Sequence, residues 1–210
     1  MESYDEIISR TSDYYTNKIK KYGETSKGVD WNSIDAMKIR ALQLFKILDF
    51  DYKFTVNELG CGWGYIYGLL TECGYDFCYN GYDISAEMVN AAQKKFEKGN
   101  FIIGDKLHIV ADFSIASGIF NVKQDFNDDV WQKYVLFVLE NMDAHSKKGF
   151  SFNCLTSYSD KEHMKDGLFY ANSLFLFDYC MKNFSRNISL IHDYNLYDFT
   201  ILVRKEAKVR

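Results

Sequence analysis

Three closely spaced glycines follow a short strand-like run in the first third of the chain. Residues 54–57 predict a strand, residues 65–73 can continue as a helix, and Gly60, Gly62 and Gly64 lie between them. Because glycine has no Cβ, the backbone can turn sharply there and a ligand can lie against it. The start of the helix adds free N–H groups and a partial positive charge. The stretch therefore predicts a ligand-binding loop.

The spacing of these glycines indicates which kind of ligand the loop would hold. A dinucleotide loop has the pattern G-x-G-x-x-G, but here Tyr65 occupies the place of the third glycine, and Gly64 comes one residue too early. Glu58, two residues before the first glycine, would repel a pyrophosphate and suits a cation such as an amino-acid ammonium group. An NAD-dependent oxidoreductase is thus the weaker interpretation, and a glycine-rich turn without a ligand is the other alternative.

The pattern E-x-G-x-G-x-G over residues 58–64 resembles the first motif of the class I S-adenosylmethionine (SAM)-dependent methyltransferases. The resemblance implies SAM as the cofactor, contacted by Glu58 and by the loop residues Gly60, Cys61 and Gly62. It also implies a doubly wound, seven-stranded, mostly parallel α/β sheet of the Rossmann-like type. Helices would cover both faces, and an antiparallel strand pair would end the chain. We expect one domain over 1–210, with a Rossmann-like core at 54–204 and an N-terminal helical cap or lid at 1–50.

An aspartate follows the second predicted strand, residues 77–82. In nucleotide-binding βαβ units, an acidic residue about 20 positions after the glycines reaches the ribose hydroxyls, and Asp83 lies at that distance. The alternative is a helix cap or a turn aspartate, because Ser85 begins another helix. Residues 82–85 also resemble the second methyltransferase motif, which implies that Ile84 flanks the adenine and that Met88 lines the same side.

One further motif follows the third predicted strand, residues 101–103, and another lies at the end of the fourth, residues 112–120. Asp105 resembles the third motif, in which an aspartate accepts a hydrogen bond from the adenine amino group; a surface turn is the alternative. Ser117 and Gly118 resemble the fourth motif, whose backbone lies beside the sulfonium. The interval between the two strands is too short for the usual crossover helix, so we expect a loop there.

The segment before the core predicts two helices, residues 3–21 and 34–48, joined by a loop at 22–33. Binding residues concentrate on loops, so we expect this loop to be a lid over the cofactor or substrate. The alternative is an ordinary connector whose tryptophan packs into the core. A sulfonium could be enclosed by cation–π contacts from Tyr14, Tyr22 and Trp31.

Transfer of a methyl group to oxygen or nitrogen requires mainly that the two reactants be positioned, although the nucleophile can need a base. His192, inside the predicted strand 189–192, is the catalytic candidate because histidine titrates near neutral pH; a hydrogen-bonded core histidine is the alternative. Ligands in open α/β sheets bind at the carboxyl ends of the strands. The substrate-side candidates that follow strand ends are Asn121, Thr156 and Tyr158.

Composition narrows the class of acceptor. The 210 residues carry a net charge of −4 and contain no proline. The proline-containing catalytic motifs of DNA methyltransferases are therefore excluded, and the acidic charge disfavours nucleic-acid binding. We expect a small-molecule acceptor, and residues 28–33, 116–121 and 196–200 resemble a small bacterial branch of the family. A catalytically inactive SAM-binding partner subunit is the remaining alternative, because no obvious base is present.

Composition also indicates the cellular compartment. The N-terminus lacks the basic-then-apolar order of a signal peptide, and the longest apolar run, residues 134–139, is far too short to cross a membrane. The five cysteines contain no C-x-x-C pair, so no metal site is expected. These features predict a cytoplasmic protein that has no membrane partner. They leave its oligomeric state open.

Overall fold

A computed structural model of the protein describes residues 4–205. Its helices are α1 (Tyr4–Tyr22), α2 (Ile34–Phe45), α3 (Tyr65–Glu72), α4 (Ala86–Lys95), α5 (Asp128–Ala144) and α6 (Ser173–Asn183). Its strands are β1 (Phe54–Leu59), β2 (Phe77–Asp83), β3 (Asn100–Ile103), β4 (Ala111–Ala116), β5 (Ser146–Thr156), β6 (Tyr170–Ala171), β7 (Asn187–Ile191) and β8 (Asp198–Arg204). Two short 3₁₀ turns lie at Ser26–Val29 and Lys161–His163.

The strands form one sheet in the order β3-β2-β1-β4-β5-β8-β7. Strands β1 to β5 are parallel, and β8 is antiparallel to both β5 and β7. The mostly parallel, doubly wound sheet and its C-terminal antiparallel pair are therefore confirmed. The strand order reverses between β1 and β4, which is where ligands bind in such sheets. The two-residue β6, which pairs with the end of β5, was not predicted because it is too short to show a pattern.

Helices cover both faces of the sheet. On one face of the sheet, α2, α3 and α4 bury residues such as Leu44, Leu70 and Ala92. On the other face, α5 and α6 pack against the sheet in a core that includes the aromatic residues Trp131 of α5 and Phe199 of β8. Burial of this apolar surface is the main stabilising contribution to the layered fold. The N-terminal helix α1 lies over the carboxyl ends of the central strands, and its Ser12 hydroxyl donates to the Ile84 carbonyl just after β2. Its action as a lid stays a prediction.

Two predicted strand boundaries are wrong. The fourth strand ends at Ala116 and not at residue 120, because Gly118 adopts a left-handed φ of 73° that cannot continue a strand. The seventh strand ends at Ile191, so His192 lies after it and outside the ladder. The expected loop between β3 and β4 is confirmed. Its Leu107 is held by the Asn141 side chain of α5, which bonds both its N–H and its carbonyl.

The cysteines, all of which lie in the described part of the chain, form no disulfide bond. All five cysteines are free thiols; Cys61, Cys154 and Cys180 are buried. Within residues 4–205, no group of three or more His, Cys, Asp or Glu side chains could hold a metal ion. No helix in that same range is long and apolar enough to cross a bilayer.

Candidate active site

A cleft lies at the carboxyl ends of β1, β2 and β4, beneath α1 and the loop at residues 23–33. Its empty space, including the part open to solvent, is about 930 Å³. Most of the cofactor-site residues predicted from the sequence line this cleft: Trp31, Glu58, Gly60, Cys61, Gly62, Asp83, Ile84, Met88, Asp105, Ser117 and Gly118.

The glycine loop folds back against the end of β2. The N–H groups of Gly60 and Cys61 both donate to the Tyr82 carbonyl oxygen, at 2.7 and 2.9 Å. Gly60 and Gly62 adopt φ values of 78° and 53°, which side-chain-bearing residues rarely tolerate. A Cβ on Gly62 would lie 3.2 Å from the Val29 side chain, which also lines the cleft. Glycine therefore keeps the inner side of the loop open to a ligand.

Asp83 joins the end of β2 to the glycine loop. One of its carboxylate oxygens accepts a hydrogen bond from the Gly62 N–H at 2.8 Å, and the other accepts one from the Ser85 N–H at 2.9 Å. Burial raises the pKa of Asp83 to about 6, although these two hydrogen bonds lower it. Each oxygen keeps a second lone pair, so the carboxylate can still accept from a ligand. Asp83 thus holds the helix-start turn and also faces the cleft.

Glu58 lies almost fully buried near the end of β1, with 2% of its surface exposed. Burial raises the pKa of Glu58 to about 8; the hydrogen bond from the Tyr79 hydroxyl lowers it, and the nearby Asp83 raises it. The sequence did not indicate Tyr79. Its ring fits because Gly81 has no Cβ, which would lie 2.8 Å from the Tyr79 oxygen. A cation in the cleft would favour the ionised form of Glu58.

Trp31, in the loop at residues 23–33, lines the cleft. Its indole packs on Gly118, where an added Cβ would lie only 2.2 Å from the ring. The ring also contacts Arg40, whose guanidinium carbon lies 4.0 Å from the ring centre. Trp31 therefore connects the loop at residues 23–33 to the turn that follows β4.

That turn, residues 117–120, is fixed from the other side. The Gly118 N–H donates to the Asn153 side-chain oxygen at 2.7 Å, and the Trp131 indole N–H donates to the Phe120 carbonyl at 2.7 Å. Both partners are fully buried, so the turn is held by bonds that water does not reach.

Tyr14 and Tyr22 do not line the cleft. The Tyr14 hydroxyl donates to Asp30 at 2.6 Å, and Lys18 donates to the other oxygen of Asp30 at 2.5 Å. Tyr14 therefore connects α1 to the loop at residues 23–33 outside the cleft, while Tyr22 is exposed. The neighbouring Tyr15 faces the cleft in their place.

Several residues that line the cleft were not identified from the sequence. Among them are Thr11 of α1, Trp63 of the glycine loop and Tyr134 of α5. Within the described part of the chain, the Thr11 hydroxyl and the Trp63 indole N–H are buried and have no hydrogen-bond partner. Thr11 and Tyr15 are four residues apart and so share one face of α1, a spacing that could have identified them.

The predicted catalytic and substrate residues lie outside the cleft wall. The Asn121 side-chain oxygen accepts from the Leu155 N–H at 3.0 Å, and the Thr156 hydroxyl accepts from the Tyr158 N–H at 3.3 Å. Tyr158 and His192 are both exposed, with ring centres 6.3 Å apart. These residues lie beyond the carboxyl ends of β4, β5 and β7.

The fold and the cleft define a class of protein: a doubly wound α/β protein with a glycine loop and a cleft at its switch point. Comparison with known proteins then identifies the family. No family model matches the chain. A protein of Mycobacterium tuberculosis named "Putative methyltransferase Rv1506c" is 46% identical over 157 residues, 73% of this chain and 95% of the relative. The chain belongs to the class I SAM-dependent methyltransferase family, whose methyl donor is SAM.

Solved structures share the fold. Magnesium protoporphyrin IX methyltransferase (ChlM) from Synechocystis PCC 6803, with bound S-adenosylhomocysteine (SAH), has a TM-score of 0.70 at 13% identity; 95% of this chain and 99% of that chain are covered. A complex of DhpI with SAM and HEP has a TM-score of 0.69 at 16% identity, with 98% and 100% covered. At these identities the likeness shows the architecture alone.

Proposed function

We propose that this methyltransferase transfers a methyl group from SAM to an oxygen or nitrogen atom of a small-molecule acceptor bound at the cleft. One observation carries the proposal: Glu58 lies near the end of β1, Asp83 ends the neighbouring β2, and both line one cleft, where Asp83 bonds the glycine loop. Two carboxylates can accept hydrogen bonds from the ammonium group and from the ribose hydroxyls of one ligand, whereas they would repel a pyrophosphate. We also propose that residues 1–210 form a single domain, with residues 1–50 as its cap.

The residues present fit such a cofactor. Asp83 would accept from the ribose hydroxyls, Glu58 from the ammonium group, and Asp105 from the adenine amino group. Ile84 and Met88 would flank the adenine, and the loop at residues 60–62 would lie along the methionine part. The buried Thr11 hydroxyl and Trp63 N–H offer hydrogen-bonding capacity that the protein itself does not use.

When bound, SAM supplies an electrophilic methyl group on a sulfonium leaving group. The task left to the protein is to hold the two reactants in line and to exclude water. The turn at Ser117–Gly118 and the Trp31 indole would stand beside the sulfonium, where the ring could contribute a cation–π contact. Hydrogen bonds from buried partners hold this turn, so its geometry is set before any ligand enters.

Several features support a small acceptor. The cleft is covered by α1 and the lid loop, the net charge is −4, and the structurally similar ChlM is named for a porphyrin acceptor. Asn121, Thr156, Tyr158 and His192 would contact only an acceptor that extends past the cleft along the sheet edge. For such an acceptor, we propose His192 as the general base.

An assay with methyl-labelled SAM and a panel of hydroxyl- and amine-bearing small molecules tests the proposal. We expect SAH to form together with a labelled product for at least one acceptor. Binding of SAM or SAH without turnover on any acceptor would instead indicate an inactive partner subunit. Energy transfer to bound NADH, without competition by SAM, would indicate an oxidoreductase and would contradict the proposal.

A further inference from the structure

A buried ion pair lies behind the lid tryptophan. Arg40 of α2 bonds Asp198, the first residue of β8, at 2.5 Å, and both side chains are buried. Arg40 Nε, Arg40 Nη1 and Asp198 Oδ1 have no hydrogen-bond partner within the described residues. A buried pair with unmet hydrogen bonds is weak as a stabilising device, because desolvation offsets much of the attraction. The pair therefore suggests a role other than stability.

The guanidinium has a second contact, with Trp31. Its carbon lies 4.0 Å from the centre of the indole ring, within cation–π distance. The indole also packs on Gly118, so closely that a Cβ there would lie 2.2 Å from the ring. Arg40, Trp31 and Gly118 thus form a continuous stack from α2 to the turn after β4.

Both ends of this stack are anchored to the same strand pair. Asp198 holds Arg40 from β8, and Asn153 of β5 accepts the Gly118 N–H. In the register of these strands Asn153 pairs with Thr200, and Leu155 pairs with Asp198. The two anchors are therefore neighbours on the sheet face that packs against α2. Because α2 and the β5–β8 pair are regular, packed elements, they can fix the position of the ring that the loop at residues 23–33 carries.

We propose that Arg40 is a positioning residue: together with Asp198 it holds the Trp31 indole against Gly118, and so sets this wall of the cleft before the methyl donor binds. The inference rests on the proposed function of the cleft. Asp198 acts through Arg40, and Arg40 acts through Trp31, so neither is itself a catalytic residue.

Arg40→Lys is the variant that tests this inference. Lysine keeps the positive charge and can keep the ion pair with Asp198, but it lacks the planar guanidinium that stacks on a ring. Arg10→Lys is the matched control, because Arg10 also lies over a ring, 4.5 Å from the centre of Phe126, and pairs with Asp125. We expect calorimetry to show about tenfold weaker SAH binding for Arg40→Lys, and binding within about twofold of wild type for Arg10→Lys.

A second measurement separates positioning from general loss of stability. In a Trp31→Leu background, which has no ring for the guanidinium to stack on, the effect of Arg40→Lys on SAH affinity should largely disappear, since two residues that act through one contact are not additive. Melting temperatures of all variants show whether each remains folded. An affinity loss that persists in full without Trp31 would overturn the inference, as would wild-type affinity in Arg40→Lys. If the wild-type protein binds no SAH, the proposed function itself is contradicted. If the wild type binds SAH and Arg40→Lys binds it equally well, only the role of Arg40 is overturned.

Discussion

The backbone N–H of Gly62 donates to the carboxylate of Asp83 at 2.8 Å, and this bond joins the loop after β1 to the end of β2. The other oxygen of the same carboxylate accepts the Ser85 N–H, which fixes the start of α4. A single buried side chain therefore sets the relative position of the loop and of the helix that flanks the cleft. Any change to this carboxylate should therefore shift both the glycine loop and the start of α4.

Replacement of Asp83 should weaken cofactor binding. Asp83→Ala leaves the Gly62 and Ser85 N–H groups without their partner and removes the acceptor proposed for the ribose. We expect SAH affinity measured by calorimetry to fall by about 1–3 kcal/mol in a protein that remains folded. Asp76→Ala, at the exposed residue just before the same strand, is the control and should bind normally. Unchanged affinity in Asp83→Ala would refute the ribose assignment.

The buried Glu58 should make stability depend on pH. Burial raises its folded-state pKa to about 8, above the ordinary value of 4.5 expected in the unfolded chain. Between these two pH values the unfolded state has lost a proton that the folded state retains, so raising the pH favours unfolding. Glutamine cannot ionise. We therefore expect the free energy of unfolding of Glu58→Gln to rise relative to wild type, by about 2–4 kcal/mol between pH 5 and pH 8.

Asp112→Asn provides a control of opposite sign for that experiment. Partial burial raises the pKa of Asp112, but hydrogen bonds from Thr55 outweigh it, so the folded-state pKa is lowered. The stabilisation from its ionised form is present above the ordinary value and is lost as the pH falls through the folded value. Asp112→Asn should therefore lose stability relative to wild type at neutral pH and recover it in acid. A pH-independent difference for Glu58→Gln, in denaturant unfolding, would show that Glu58 ionises normally.

Gly118 should tolerate no side chain. Its φ of 73° disfavours alanine, and a Cβ would also overlap the Trp31 ring. Gly74 is a matched control, because its φ is 76° and a Cβ there meets nothing within 4 Å. We expect Gly74→Ala to cost about 1–2 kcal/mol in denaturant unfolding, the cost of the left-handed backbone alone.

Gly118→Ala should cost about 1–3 kcal/mol more than this, and it should also weaken SAH binding, because Trp31 must move. Equal costs for the two variants would mean that Trp31 does not pack on Gly118 in solution.

The lid loop should become protected when the cleft is filled. Lys27 lies in the 3₁₀ turn at Ser26–Val29, and Lys161 lies in the turn at Lys161–His163, outside the cleft wall. With SAH present, we expect trypsin to cleave after Lys27 several-fold more slowly, while cleavage after Lys161 keeps its rate. Identical rates after Lys27 with and without SAH would count against a lid.

The sequence identified the parts of the site whose chemistry is local. The glycine loop and Asp83 each follow a predicted strand directly, so the strand pattern placed them. Ser117 and Gly118 were placed by their resemblance to the fourth motif, although the strand was predicted to run past them. The prediction of Tyr14 instead of Tyr15 was wrong. Adjacent residues differ by about 100° around a helix, so only one of the two can face the cleft, and tertiary packing decides which side of α1 that is.

Contacts between distant segments could not be predicted. Tyr79 reaches Glu58 across two neighbouring strands, and Asp198 meets Arg40 from a segment 158 residues away. His192 was placed in a strand because its pattern continues that of residues 189–191, and only the pairing with β8 shows that the ladder ends before it.

Direct titration of the purified protein with SAM, and separately with NADH, tests the central claim that the glycine loop holds a cationic nucleoside amino acid. We predict saturable binding of SAM in the calorimeter and no binding of NADH. Binding of NADH, together with no heat from SAM at millimolar concentration, would contradict it.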